Sequence, residues 1–195
     1  MQKKKAKGEP QSRSTEATKA CLVSAAMSEF NKKGYFGTDT NQIARAAGFA
    51  PQTFYRHFAD KTAIFLQVYD RWWRDESAAI QKLSRRSALS PTAAAVTVLS
   101  FHVRWKIFRR SLRLLTVEDR RVGAARAAAR HAQLMIVDPS LTDERRIAVK
   151  LAELLTVERL CDAAADGEFA VFGIRRDLAL EVITEAMSKL LTIRK

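Results

Sequence analysis

The sequence predicts an all-α fold, with a small N-terminal helix-turn-helix domain joined to a larger helical domain. Hydrophobic residues make up 47% of the 195 residues, while only seven are Gly and four are Pro, and this composition favours packed helices over strands and turns. Apolar side chains also recur at helical spacing along most of the chain. We expect a disordered basic arm at 1–13, the helix-turn-helix domain at 14–60 and the larger helical domain at 61–195.

The first part of the chain predicts three helices separated by glycines. A first helix follows the arm and ends at Gly34. Its apolar face comprises Leu22, Val23, Ala26, Met27 and Phe30. The segment GYFGTDT then supplies two glycines and three possible capping residues, which indicates a turn into a second helix that ends near Ala47. After Gly48, Pro51 suits the first turn of a third helix, which we expect to continue through His57.

Longer helices are predicted in the middle of the chain. The fourth helix begins at Lys61, and Glu76 is expected to lie away from its apolar stripe. That stripe comprises Phe65, Val68, Trp72, Ala79, Ile80 and Leu83. The pair Ser90-Pro91 opens a fifth helix, which is predicted to continue through Trp105 to Phe108. Because that helix is apolar nearly all round, we expect it to be buried.

The C-terminal part of the chain predicts three further helices. After a break at the segment EDRRVG, we expect helices at 124–137, 140–165 and 174–191, with a loop at 166–173 that exposes two Phe side chains. The last two helices can pack against those of a second copy as a four-helix interface. The apolar residues predicted for that interface are Ala148, Leu151, Leu155, Leu178, Val182, Met187 and Leu190.

The net charge of +13 indicates a polyanionic partner, with nucleic acid first and an anionic membrane surface second. Residues 1–61 hold 11 Lys and Arg against five Asp and Glu, so this segment is about twice as basic per residue as the rest. The start MQKKKAKGEP lacks the apolar stretch of a signal peptide, and no segment has 18 uninterrupted apolar residues. We therefore expect neither export nor a membrane partner.

The two cysteines give no sign of a metal site or a disulfide. Cys21 and Cys161 lie far apart in the sequence, and neither belongs to a CxxC or Cys/His grouping. Reduced thiols are the simpler interpretation. We expect no metal and no cofactor.

The spacing within 34–58 is typical of a helix-turn-helix. Ile43 and Ala44 lie on the buried side of the second helix, and Ala44 is small enough for the third helix to cross close by. Gly48 allows a turn conformation that is costly for other residues. The small core is closed by Phe49, Phe54 and Phe58.

Polar side chains remain on the opposite face of the third helix, the helix that enters the major groove of DNA in such a motif. They are Gln52, Thr53, Tyr55, Arg56 and His57. Gln can bond to adenine and Arg to guanine, while Thr or Ala can touch the thymine methyl group. Thr38, Thr40 and Tyr55 offer hydroxyls to phosphates, and Lys61 adds a cation. His57 could equally cap a helix or pack.

The segment GYFGTDTNQIARAAGFAPQTFYRHFADKTAIF, preceded by AAMSEFNKKG, resembles the N-terminal domain of TetR-family regulators over about residues 14–66. The positions in register are Gly34-Tyr35, Thr38, Ile43-Ala44, Ala47-Gly48, Phe54-Tyr55, His57-Phe58 and Lys61. The resemblance implies a cytoplasmic, nucleoid-associated bacterial homodimer that binds a palindromic operator and is released by a small molecule. Phe49 departs from the family, which more often has a smaller aliphatic residue there.

Residues and resemblance together predict a transcriptional regulator, specifically a repressor that an unidentified small-molecule effector releases from double-stranded DNA. The predicted DNA contacts are Thr38, Thr40, Asn41, Ala50, Pro51, Gln52, Thr53, Tyr55, Arg56, His57 and Lys61. Aromatic walls with one or two polar groups suit small apolar ligands. The predicted effector contacts are Trp72, Phe101, His102, Trp105, Phe108 and Met135.

Two other functions have to be weighed against this prediction. An enzyme would need a catalytic grouping, but His102 and His131 stand alone and no phosphate-binding Gly loop is evident. A general polyanion binder would spread basic and aromatic residues over its surface without an ordered turn. A further basic cluster comprises Arg104, Arg109, Arg110 and Arg113. This cluster could bind an anionic ligand such as an acyl thioester, or form a solvated face.

Overall fold

The computed structural model of the chain describes residues 10–84 and 89–192, and every regular element within these ranges is a helix. The predicted all-α fold is therefore confirmed. The helices are α1 (Pro10–Lys33), α2 (Thr40–Ala46), α3 (Pro51–Tyr55), α4 (Lys61–Ser84), α5 (Pro91–Arg104), α6 (Lys106–Glu118), α7 (Arg120–Val137), α8 (Glu144–Asp166), α9 (Glu168–Val171) and α10 (Arg176–Leu191).

Contacts divide the chain into an N-terminal unit, residues 1–69, and a C-terminal unit, residues 70–195. The division falls inside α4, between Tyr69 and Asp70, so this helix contributes to both units. The sequence-based boundary at 60/61 lies nine residues earlier, at the start of the same helix. Among the described residues, no helix is long and apolar enough to cross a membrane.

The N-terminal unit is built on α1, which begins earlier than the sequence pattern suggested. Residues 10–13 were expected to belong to the disordered arm, but α1 already starts at Pro10. Proline suits the first turn of a helix, where its missing N–H has no partner to lose. The rest of the predicted arm, residues 1–9, lies outside the described residues. The apolar face of α1 is buried as predicted, through Leu22, Val23, Ala26, Met27 and Phe30.

The C-terminal unit has an apolar core formed where α5, α8 and α10 pack on one another, while α6 packs on α7. The core includes the buried side chains of Ala95, Leu154, Cys161, Ile183, Met187 and Leu190. Cys161 is therefore a buried free thiol, and burial raises its pKa above the usual range, whereas Cys21 on α1 is an exposed free thiol. The burial of Met187 and Leu190 in this core contradicts their predicted place in an interface with a second copy.

The predicted fifth helix is in fact two helices that meet at Trp105. The backbone of Trp105 leaves the α-helical region, with φ −112° and ψ 23°. No Gly or Pro marks this break, and apolar residues continue across it, so it has no local signal in the sequence. The expectation that the helix is buried all round is also wrong, since Val96 is 47% and Val103 40% exposed.

Smaller corrections concern the C-terminal breaks. The break predicted at EDRRVG shrinks to a single residue, Asp119, whose side chain accepts a hydrogen bond from the backbone N–H of Arg121 and so caps α7. The predicted loop at 166–173 contains one helical turn, α9, which begins after Gly167 in the left-handed conformation with φ 83°. One of its two Phe side chains, Phe172, is 82% exposed.

Candidate functional site

The turn between α2 and α3 has the geometry that the helix-turn-helix prediction requires. Gly48 has φ +81°, and a Cβ added there would meet nothing within 4 Å, so the backbone conformation rather than lack of space favours glycine. The N–H of Phe49 donates to the carbonyl of Ala44 at 2.9 Å and closes the turn. Ala50 is then extended, and Pro51 begins α3.

A small core holds α2 and α3 together. Ile43, Ala44 and Phe54 are fully buried and Phe58 is 5% exposed, as the spacing predicted. The rings of Phe54 and Phe58 lie 5.6 Å apart. Phe49 is only half-buried, so it closes this core less completely than expected.

The start of α2 is fixed by a reciprocal pair of hydrogen bonds. The carboxylate of Asp39 accepts from the N–H of Gln42 at 2.7 Å, and the side chain of Gln42 accepts from the N–H of Asp39. This capping box satisfies two backbone donors that a helix otherwise leaves unbonded. The three possible caps of this turn were predicted from the sequence, whereas the role of Gln42 was not.

The polar residues predicted to face DNA remain outside the core. Gln52 and Arg56 are exposed, Tyr55 is 59% exposed, and Thr53 and His57 are half-buried. The hydroxyls of Tyr55 and Thr40 lie 2.9 Å apart, which ties α3 to the first residue of α2. The sequence predicts that α3 continues through His57, but the helix ends at Tyr55. Arg56 and His57 therefore lie in the turn that follows it.

The neighbouring predicted contacts differ in exposure. Asn41 and Ala50 are exposed, and Pro51 is half-buried. The structure adds Arg45, an exposed residue in the last turn of α2 that the sequence analysis did not single out. Asn41 and Arg45 are four residues apart, so they share one face of α2. This spacing could have identified Arg45 from the sequence.

Two predicted DNA contacts have internal roles instead. Thr38 is 2% exposed, and its hydroxyl donates to the carbonyl of Gly34 at 2.8 Å, so it has no hydroxyl to offer to a phosphate. The ammonium of Lys61 donates to the carbonyls of Tyr35 and Thr38 at 2.8 and 2.9 Å. Both side chains hold the turn between α1 and α2.

This geometry coincides with a match to a known protein family. Residues 22–68 match the family model for bacterial regulatory proteins of the tetR family. The N-terminal domain is therefore similar to that of TetR-family regulators. A curated relative, an uncharacterized HTH-type transcriptional regulator of Haemophilus influenzae, is 38% identical over 56 residues. That match covers 28% of this chain, which spans about a quarter (27%) of the relative's length.

Solved structures extend the likeness to the fold of most of the chain. A regulator from Rhodococcus sp. assigned to the TetR family aligns with a TM-score of 0.66 and 16% identity, over 91% of this chain and 100% of that chain. LfrR of Mycobacterium smegmatis, in complex with proflavine, aligns with a TM-score of 0.59 and 16% identity, over 93% of this chain and 99% of that chain. The fatty acid degradation regulator FadR of Bacillus halodurans aligns with a TM-score of 0.61 and 14% identity, over 96% of this chain and 97% of that chain. Identities this low establish similarity of fold only.

In the C-terminal unit, part of the predicted effector site is brought together. The ring of Trp72 lies 6.2 Å from those of both His102 and Phe108, and Trp105 lies 6.5 Å from Phe108. Trp72, His102 and Phe108 are all at most 2% exposed. Met135 packs elsewhere, against the apolar core of α5, α8 and α10, and Phe101 is half-buried.

A buried ion pair lies beside these rings and was not predicted. Arg109 is 1% exposed, and its Nε and Nη2 donate to the two carboxylate oxygens of Asp162 at 3.0 Å each. The guanidinium lies 4.9 Å from the ring centroid of Trp72. Arg113 also lies 3.0 Å from Asp162. Burial acts to raise the pKa of Asp162, but its contacts with His102 and Arg109 outweigh burial and lower it.

Further ion pairs continue along α8. Arg110 and Arg113 both donate to Asp166, while Arg126 and Arg130 donate to Glu158. Three members of the predicted arginine cluster, Arg109, Arg110 and Arg113, are therefore paired with carboxylates of the chain itself, which contradicts their availability to an anionic ligand, while Arg104 and Arg110 are exposed to solvent. The sequence does contain a signal for this network. Its carboxylates on α8 follow one another at a spacing of four: Glu158, Asp162 and Asp166.

Glu76 and His102 form a second buried feature. Glu76 is 7% exposed rather than outside the apolar stripe of α4, and its Oε1 accepts no hydrogen bond. That oxygen lies 3.9 Å from Nε2 of His102, whose Nδ1 lies 2.9 Å from Asp162 without the alignment of a hydrogen bond. The prediction that His102 stands alone is thus wrong. Because His102 is 1% exposed, however, this pair is not open to a substrate.

Protonation of this pair follows from burial. Burial raises the pKa of Glu76 to about 8, against an opposing effect of the Arg109 charge. Burial and the positive charge of Arg109 lower the pKa of His102 to about 4. Both side chains are therefore uncharged at neutral pH. Within residues 10–84 and 89–192, no group of three or more His, Cys, Asp and Glu side chains is placed to hold a metal ion.

Proposed function

We propose that this protein is a sequence-specific DNA-binding transcriptional repressor that a small-molecule effector releases from a palindromic operator. The observation that carries the proposal is the exposed polar face of α3, which follows the closed Gly48 turn of a TetR-family domain. A helix held in this way can enter the major groove, where its side chains meet base edges.

The proposed DNA contacts divide by chemistry. Gln52 and Arg56 are placed to bond to base edges, and Thr53 and Ala50 to meet apolar base atoms. Phosphate contacts are assigned to Thr40, Asn41, Tyr55, His57 and the added Arg45. Pro51 would approach the backbone at the N-terminus of α3. Thr38 is not among the proposed phosphate contacts because it is buried. Lys61 is not among them because its ammonium donates to two backbone carbonyls.

A homodimer through α8 and α10 would give the operator its two-fold symmetry. The support is the exposed apolar surface of these two helices, which includes Leu155 at 39%, Leu178 at 48% and Val182 at 38% exposure. Ala148 is also exposed and Leu151 is half-buried, and both remain in the proposed interface.

The effector is proposed to bind in the C-terminal unit, near Trp72, His102 and Trp105. Two observations support this location. The rings of Trp72 and His102 lie 6.2 Å apart, and Oε1 of Glu76, 3.9 Å from His102, accepts no hydrogen bond, which is uncommon for a buried polar atom. One structure of similar fold holds proflavine, and another is named as a regulator of fatty acid degradation.

The decisive experiment is selection of bound sequences from random duplex DNA, followed by binding of the selected duplex at increasing salt. We expect a palindromic site that stays at least about 1000-fold preferred over unrelated DNA. Equal loss of binding on every sequence would identify a general polyanion binder instead.

A substitution on α3 then tests the assignment of base contacts. Gln52→Ala should relax the preference at one operator position in each half-site, at a cost of about 1–3 kcal/mol at that base pair. The selection is repeated with the variant protein. An unchanged preference at every position would reject Gln52 as a base contact.

A further inference from the structure

The ammonium of Lys61 is occupied by the protein itself. It donates to the carbonyls of Tyr35 and Thr38 at 2.8 and 2.9 Å, and it lies 4.1 Å from the centroid of the Tyr35 ring. An ammonium has three donors, and two of them are used here. Burial lowers the pKa of Lys61, and the charge of nearby Asp39 opposes that shift. Lys61 is half-buried, and these contacts hold its ammonium against the turn.

The start of α4 contacts the turn before α2 through a second residue, Thr62. The hydroxyls of Tyr35 and Thr62 lie 2.7 Å apart, so two consecutive residues of α4 bind that turn. Within the turn, Thr38 donates to the carbonyl of Gly34. The turn has few alternatives, because each of these polar groups already has a partner.

The same turn leads directly to the proposed DNA interface. Thr38 is followed by Asp39, which caps α2, and by Thr40, whose hydroxyl lies 2.9 Å from that of Tyr55. Hydrogen bonds and peptide links therefore connect the ammonium of Lys61 to Tyr55, an exposed side chain of α3. Each step is a hydrogen bond or a peptide link, so displacement of the turn would displace Tyr55 as well.

We propose that Lys61 is a positioning residue, whose ammonium fixes the turn at 34–39 to the start of α4 and thereby sets the position of Tyr55 in the DNA interface. It does not act by neutralising a phosphate. The inference rests on the proposed DNA-binding function, and it replaces the sequence-based role of Lys61. Removal of the ammonium takes one donor from each carbonyl, leaves the carbonyl of Tyr35 with the 3.4 Å bond from the N–H of Thr38, and loosens the turn.

Lys61→Met tests this role, because Met keeps an apolar stem and removes the ammonium. We expect operator affinity to fall roughly tenfold, the size of a lost hydrogen bond to a charged group. The slope of log affinity against log salt should not change. A phosphate contact predicts a slope smaller by about 0.9. The matched control is Lys82→Met, at an exposed lysine in the last turn of α4, which should keep wild-type affinity and slope.

Lys61→Arg separates position from charge and serves if the Met variant does not fold. Arginine keeps the charge, but its planar fork cannot replace a compact ammonium between two carbonyls. We expect its affinity to fall as well. Wild-type affinity in Lys61→Arg, or a slope smaller by about 0.9 in Lys61→Met, would overturn the proposal.

Amide hydrogen exchange of the free protein gives a readout that needs no DNA. In Lys61→Met, the amides of Thr38 and Gln42 should exchange faster, while those of α10 should not change. Wild-type exchange at the turn would contradict the positioning role. If the wild-type protein retained no operator at all, the proposed function would fail, and this measurement would still decide whether Lys61 holds the turn.

Discussion

At the scale of single residues, the C-terminal unit places groups of opposite protonation behaviour in one buried cluster. Asp162 is held as an anion by Arg109 and His102, whereas Glu76 is held neutral because burial outweighs the nearby positive charge. The difference is one of geometry, since Asp162 receives two guanidinium hydrogen bonds and Oε1 of Glu76 receives none. Two carboxyl groups in the same core thus have different charges at neutral pH.

Glu76→Gln is predicted to change how stability depends on pH. The pKa of Glu76 is raised in the folded state, so its contribution is fully present below the unfolded value near 4.5 and is lost as pH rises through about 8. Glutamine does not ionise. The variant should therefore gain stability relative to wild type between pH 5 and 9, on the order of 2–4 kcal/mol over that window. Urea denaturation at several pH values measures this difference.

Asp162→Asn is the contrasting variant for that experiment. It leaves the buried Arg109 without its counter-charge, so we expect a loss of about 3–5 kcal/mol at neutral pH. A second comparison is Asp177→Asn, at an exposed pair with Arg175, which should have no measurable effect. Equal effects of the two Asp variants would show that burial does not determine the contribution of these ion pairs.

At the scale of elements, the Gly48 turn sets the direction in which α3 leaves α2. Gly48→Ala is predicted to destabilise the N-terminal unit by about 1 kcal/mol, because φ is +81° while there is open space for a Cβ. Gly48→Asn should be milder, since Asn tolerates the left-handed region better. Thermal denaturation compares the two. An Ala variant as stable as wild type would mean that the turn relaxes to a negative φ.

The N-terminal elements could be predicted from sequence because each had a local chemical signal. Gly34 and Gly48 end helices, Pro51 begins one, and the apolar spacing of Ile43 and Phe54 identifies the small core. Local sequence signals gave wrong predictions where tertiary contacts determine the partner of a side chain. Thr38 and Lys61 looked available to phosphate, but their partners are backbone carbonyls that only the folded turn brings near.

The C-terminal elements were harder to predict for the same physical reason. The break at Trp105 has no glycine or proline, and the apolar pattern simply continues through it. Arg109 and Asp162 are 53 residues apart, so nothing local shows that they pair. In the same way, a single sequence does not separate apolar residues of the chain's own core, such as Met187, from those left for a second copy, such as Val182.

At the scale of the whole molecule, the exposed apolar residues of α8 and α10 predict the oligomeric state. Leu178→Glu with Val182→Glu should convert a dimer to a monomer, because a charge buried at an apolar interface is not compensated. Sedimentation velocity measures the mass, and operator affinity should fall with it because half-sites then bind singly.

The control for this variant is Val117→Glu, at a residue of α6 that is 89% exposed. It introduces one charge of the same sign on a different helix and should leave the mass unchanged. A wild-type monomer at micromolar concentration, or a double variant that remains dimeric, would contradict the assignment of α8 and α10 as the interface.

The two cysteines give the folded protein an internal reporter of opening. Cys21 is exposed on α1, whereas Cys161 is buried in the core of α5, α8 and α10 with its thiol strongly protonated. A thiol reagent should therefore label Cys21 at once and Cys161 only when that core opens. The rate of the slow labelling phase would then report how often the core of the C-terminal unit opens, with no engineered probe. A compound that binds in the C-terminal unit should make the labelling of Cys161 slower.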